Sequence, residues 1–274
     1  MGEGGLPAFH LHLDVLGAIV ALGVAYEYGI RRLAPSHRPA DDPPLGTRRL
    51  RFHLGLVLLF IVSSWPFHDI AEERLFAFHM VEHLVIALVA PPLLLTGTPW
   101  WLLRAAVAPI LPVVRFFTRP LVALVAFNAW LAFIHVPSVV EGMDTNPVFH
   151  LFTHAVLFST AIAMWWPVLD PIPDTQSLTP FGKMGYLFLQ GIVPNIPASF
   201  MTFGTTPLYP IYATYPRLWG IDVMTDQVIA GLIMKIGGTL LLWGFIAWVW
   251  FSWVRDEQRL EPGPRLVVTE DRGA

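Results

Sequence analysis

The chain contains no cysteine. That excludes disulfides and thiolate ligands, so any bound metal must be held by imidazole, thioether, carboxylate or backbone groups. Charge is scarce too. Of 274 residues only 14% are Asp, Glu, Lys or Arg, while 55% are hydrophobic and mean hydropathy is +0.58. Soluble domains carry about 25% charged residues, so this composition excludes a soluble fold and points to an integral membrane protein. The first residues lack a basic n-region and a small-residue cleavage site, so no removable signal peptide is expected there. The net charge of −3 says little about partners, because the distribution of charge matters more than its sum. No nucleic-acid partner is expected.

What the chain does have is long apolar runs. Seven are long enough to cross a bilayer, at about 11–30, 50–66, 73–96, 121–140, 148–168, 181–203 and 226–251. Residues 100–117 are apolar too, but Arg104, Pro109, Pro112 and Arg115 interrupt them. They read as an interfacial helix and not a span. The expected fold is therefore all-α, a bundle of seven transmembrane helices over residues 1–255, followed by a polar and loose tail over 256–274. Basic residues orient the bundle. Arg31, Arg32, Arg38, Arg48, Arg49 and Arg51 share the first loop, Arg104, Arg115 and Arg119 a second, and Lys183 a third. Arg255, Arg259, Arg265 and Arg272 lie in the tail, and the opposite loops hold only Arg74 and Arg217. By the positive-inside rule the N-terminus is outside and the C-terminus cytoplasmic, in a bacterial cell membrane.

Histidine is the chemical signal. The run His79-Met-Val-Glu82-His83 opens an apolar stretch that continues to Pro91-Pro92. At about 100° per residue, His79 and His83 share one helix face, with Glu72 two turns earlier on the same stripe and Glu82 to one side. Ionisable groups in hydrocarbon face the bundle interior and seek partners. A second i, i+4 pair, His150 and His154, opens the fifth segment, and His135 stands at the outer end of the fourth. His10, His12 and His68 also fall in the outer half, whereas His37 and His53 fall on the cytoplasmic side. Two pairs and a single histidine at similar depth on three helices make a metal-site pattern. The bland alternative for each pair is a hydrogen-bonded or headgroup-solvated histidine, and Met164, on the stripe of the second pair, reads as core. The same run also matches the H-x-x-E-H metalloprotease pattern, but no third acidic ligand follows at helical spacing.

Other polar features need placing. Pro194-Asn195 and Pro197 should break the sixth segment near mid-membrane. Tyr209, Tyr212 and Tyr215 read as an aromatic belt at the outer interface. The last segment opens with Asp226-Gln227 and carries Lys235 about 15 Å further in. Glu82 lies at comparable depth, which predicts a Glu82–Lys235 ion pair.

In sum the motifs resemble the CtaG-type cytochrome c oxidase assembly proteins. They are His79-Met80 with His83 running into Pro91-Pro92-Leu93-Leu94 and Gly97-x-Pro99; His135-Val-Pro137; His150 and His154; Trp165-Trp166-Pro167; Pro207-Leu208-Tyr209 with Tyr212; and Asp226-Gln227 before Ala230-Gly231-Leu232-Ile233-Met234. The likeness spans about residues 50–250. The family more often has glutamine in place of Glu82 and tryptophan in place of Lys235. The resemblance implies a non-enzymatic role in maturing haem–copper oxidases, supplying copper on the outer side, with oxidase subunits or other copper carriers and the lipid bilayer as partners. Imidazoles without thiols suit copper in transit, Met80, Met201 or Met224 would soften the site for Cu(I), and Glu72 and Asp226 would accept ring N–H groups. Two rival readings stand beside it. One is a haem-binding electron carrier, and the other a transporter or proton path through Glu82, Lys235 and the broken sixth helix.

Overall fold

A computed structural model describes residues 5–260, and among these the chain is all-α, with no strand. We number the helices α1 (Leu13–His37), α2 (Leu45–Val62), α3 (Phe67–Glu73), α4 (Phe76–Gly97), α5 (Trp100–Phe117), α6 (Pro120–Ile134), α7 (Pro137–Thr145), α8 (Pro147–Leu169), α9 (Pro180–Gln190), α10 (Asn195–Phe203) and α11 (Val223–Arg259). Proline at the first helical position starts α6 through α9, where its missing N–H costs nothing. Side-chain caps finish the job. Asn146 accepts from the amides of Val148 and Phe149, and Asp222 from those of Met224 and Thr225.

Five helices are long and apolar enough to cross a membrane, and up to seven if each bent pair counts as one span. The bent pairs are α2 with α3, at 41°, and α6 with α7, at 74°. Burial singles out α4. Inside the protein lies 67% of its apolar window, against 11–33% for the other four. It packs on α2, α3, α8 and α11, so whatever α4 carries sits at the centre of the bundle.

Lipid is as apolar as leucine, so close backbone approach and internal hydrogen bonds hold such helices together. Both are present. A Cβ on Gly97 would lie 2.5 Å from the Phe52 amide nitrogen, so α2 and α4 touch backbone to backbone there. Pro91 cannot donate to the carbonyl of Ala87 four residues back, and the Trp165 indole on α8 donates to that oxygen instead, at 2.9 Å. A π-turn over Val85–Val89 precedes the two prolines, and a second covers Ile233–Gly237 in α11. The sixth apolar segment is broken as expected, into α9 and α10. In the gap the Asn195 amide donates to the Gly191 carbonyl at 2.6 Å.

The structure departs from the sequence reading in three places. Helix α5 passes the length and hydropathy test for a span. Yet Arg104 near its start and Arg115 near its end both reach Asp174, just beyond α8. The two arginines are about 16 Å apart along the axis, so their long side chains converge on that loop from either side of a 3₁₀ turn at Ala108–Ile110. The tail does not begin at 256, since α11 runs on through Arg259; the rest of the expected loose tail, 261–274, lies outside the described residues. Finally, Tyr209 and Tyr212 are no surface belt. Both are buried, donating to the carbonyls of His135 and Ala71.

Candidate metal centre

Helices α3, α4 and α8 build the site, and one carboxylate ties them together. Glu72 on α3 places one oxygen 3.0 Å from His79 Nδ1 on α4 and the other 3.1 Å from His150 Nδ1 on α8. A carboxylate only accepts, so each Nδ1 carries the proton and each Nε2 keeps its lone pair. This is the way ligating histidines are held in metal sites. The Nε2 of His150 is buried and has no hydrogen-bond partner among the described residues.

His79, His83 and His154 each offer a ring nitrogen, all within 4.8 Å of one another. The Nε2 atoms of His83 and His154 face each other at 3.1 Å. Two nitrogens bound to one ion at about 2.0 Å stand about 3.3 Å apart at a tetrahedral angle. The His83–His154 pair therefore has the spacing of two ligands on a small first-row ion, with the His79 nitrogen within 4.8 Å of both. A second group, His68, Glu72 and His150, and a third, His10, His12 and Asp69, meet the same distance limit.

These groups form one continuous row. Ring centroids step from His10 to His12 at 4.7 Å, to His68 at 5.1 Å, to His150 at 5.5 Å and to His154 at 4.3 Å. The row continues to His83 at 5.1 Å and to His79 at 4.2 Å. Its upper part lines a cleft of about 680 Å³ between α1 and α8, with His10, His12, His68, Glu72, His150 and His154 on its walls. Sequence reasoning placed His10, His12 and His68 in the outer half without including them in the site, and missed Asp69 altogether. The signal was available for His68. Positions 68, 72, 79 and 83 form one stripe of i+4, i+7 and i+4 steps, and the break between α3 and α4 does not destroy it.

Three expected roles change. Glu82 and Lys235 form no ion pair. The fully buried Glu82 carboxylate binds His68 Nδ1 at 3.0 Å, while Lys235 donates to Ser199 at 3.2 Å and lies over the Phe203 ring. The two side chains take different bearings round their helix axes, and Lys235 sits in a π-turn, which alters its bearing. Asp226 accepts no imidazole. It caps α4 by accepting from the amides of Phe76 and Ala77 and takes a 2.7 Å bond from Arg217. Gln227 is scaffold, bound to the Leu208 amide and the Met201 carbonyl. His135 stands beside the three-nitrogen group and not in it, 6.3 Å ring to ring from His83.

With this geometry in hand, the comparisons with known proteins are decisive on one point. The family described as cytochrome c oxidase caa3 assembly factor (Caa3_CtaG) matches residues 24–256. The chain belongs to this family. All the ligands of the three-nitrogen group lie inside the stretch that matches the CtaG family, whereas His10 and His12 precede it. The chain is also similar to an uncharacterized protein of Mycobacterium leprae (strain TN), 21% identical over 95% of this chain. That protein is longer, and the alignment spans 41% of it. No solved structure matches. Consistent with a membrane family, five of its helices are long and apolar enough to cross a membrane.

Proposed function

We propose that this assembly factor takes up copper at the outer face of the bacterial cell membrane and holds it for a haem–copper oxidase. The observation that carries the reading is the convergence of His79, His83 and His154 within 4.8 Å while Glu72 accepts from Nδ1 of His79. Copper is cargo here. Imidazole binds both of its common oxidation states, and the ion can leave, because no thiolate is available to retain it. The surface row of His10, His12 and His68 gives the cargo a graded path to the buried group. No bond of the cargo's partners is made or broken, so no enzymatic step is required. Partners are oxidase subunits or other copper carriers meeting the protein in the bilayer.

The same reading includes a topology. Counting α2 with α3, α6 with α7 and α9 with α10 as single spans, and α5 as lying on the inner face, gives seven crossings. The histidine row is then outside and the loops of Arg38, Arg48, Arg104 and Lys183 inside, in line with the positive-inside rule.

Metal analysis of detergent-purified protein tests the proposal. Wild type should retain copper, and His79→Ala/His83→Ala and His150→Ala/His154→Ala should each lose it. Equal copper in all three would overturn the reading.

A further inference from the structure

The N-terminal arm carries histidines that the three-nitrogen group does not use. Residues 5–12 form no regular secondary structure, yet they lie across the junction of α2 and α3. The Trp65 indole donates to the Pro7 carbonyl at 3.2 Å, the Phe9 ring meets the Trp65 ring edge-on at 5.3 Å, and Arg74 Nε donates to the Gly5 carbonyl at 3.4 Å. The arm ends with His12, whose Nε2 lies 3.0 Å from Asp69 Oδ2 on α3. Asp69 is only 7% exposed, and a carboxylate so far out of water needs a cation or hydrogen-bond donors around it. His10 completes the group from the exposed side. It, His12 and Asp69 each offer one donor atom within 4.8 Å of the other two.

Two imidazoles and a carboxylate suit a divalent borderline ion such as Cu²⁺ or Zn²⁺. The 3.0 Å between His12 Nε2 and Asp69 Oδ2 is close to the separation of about 3.3 Å for two donors at about 2.0 Å from one ion. The ion then takes the place of the proton the pair shares. We propose that His10, His12 and Asp69 form a separate, exchangeable site for a divalent ion, which fastens the arm and the outer end of α1 to α3. Three protein donors leave a position open to water or to an incoming donor group, so the ion exchanges with solution. The fastening matters because α1 is otherwise loosely held at that end. Its buried residues, Tyr26 and Ile30, both lie in its second half. Val15, Ile19 and Leu22 instead form the wall of the 680 Å³ cleft that also holds His150 and His154. The ion thereby sets how wide that cleft stands. The site rests on the arm's own donors; only a place for it on copper's way inward rests on the copper reading.

Electron paramagnetic resonance of the full chain in detergent, prepared without a polyhistidine tag and titrated with Cu²⁺, tests the site. His79→Ala/His83→Ala serves as background, so that the three-nitrogen group is absent. This background should bind one equivalent of nitrogen-coupled Cu²⁺ more than the same background carrying His10→Ala/His12→Ala. His10→Ala alone keeps the bond between His12 and Asp69, so a loss there reports a ligand and not a broken fold. It should weaken the site at least about 10-fold, the scale seen when even a supporting group is removed, and Asp69→Asn should do the same. Hydrogen–deuterium exchange over residues 8–16 should slow when Zn²⁺ is added to wild type, and not in His10→Ala/His12→Ala. Equal Cu²⁺ in the two backgrounds overturns the site and leaves His12 and Asp69 a hydrogen-bonded pair. Bound ion with unchanged exchange overturns the fastening. Neither failure touches the three-nitrogen group, whose test reads copper that co-purifies.

Discussion

Replacing Glu72 with glutamine should separate a metal site from a set of merely packed histidines. The carboxylate accepts from His79 Nδ1 and His150 Nδ1 through its two oxygens, at 3.0 and 3.1 Å. An amide has one oxygen, and its nitrogen donates. One imidazole keeps its acceptor while the other faces a donor. That second ring must move its proton to Nε2 and so loses the lone pair there. Loss of such a supporting carboxylate costs roughly 10–100-fold in metal affinity, or about 1.4–2.8 kcal/mol. Competition of purified Glu72→Gln against a chromogenic Cu⁺ chelator measures this directly. Glu72→Asp, too short to span both rings, should fall between the two. Affinity within twofold of wild type in Glu72→Gln, alongside a clear loss in His79→Ala/His83→Ala, would refute the clamp.

Three further outcomes follow from the geometry. Lys235→Leu should leave copper content unchanged and cost less than about 1 kcal/mol in thermal unfolding, because Lys235 holds only Ser199 and the Phe203 ring; lost copper would revive a link to Glu82. Gly97→Ala should destabilise the detergent-solubilised protein by at least about 1–3 kcal/mol, since the new methyl meets Phe52 and Arg48 backbone atoms within 3 Å; an unchanged melting curve would refute the contact. At Asp42, in the loop between α1 and α2, burial pushes the carboxyl up, but the bond and charge of Arg48, with Trp101 and Arg38, outweigh it and hold it below the ordinary 3.8. Its contribution is therefore full above about pH 4 and lost as pH falls through the lower folded value. Asp42→Asn should lose stability at neutral pH and show a shallower decline below about pH 4, and a decline identical to wild type would count against the pairing.

Much of this was legible in the residues because hydrocarbon is a strict solvent. Apolar runs had to be helices, the prolines of the sixth segment had to break it, and His79 with His83 had to face inward. What the sequence does not encode locally is azimuth between helices. Period and depth put Glu82 and Lys235 level, but only packing decides that Glu82 meets His68 and Lys235 meets Ser199. Asp226 misled for a related reason. Besides Arg217 its partners are the backbone amides of Phe76 and Ala77, which any sequence supplies and none advertises. Helix α5 was read from its arginines, and the shared Asp174 is what a hydropathy window does not register.

The bond from the Trp165 indole to the Ala87 carbonyl reaches further than the gap it fills. Ala87 is four residues beyond His83, and Trp165 is eleven beyond His154, so this one anchor sets how far α4 can slide against α8. A proline's missing hydrogen thus becomes the alignment pin for two imidazoles on separate helices. Shortening or removing that indole would leave every imidazole in place and still spoil the spacing between them.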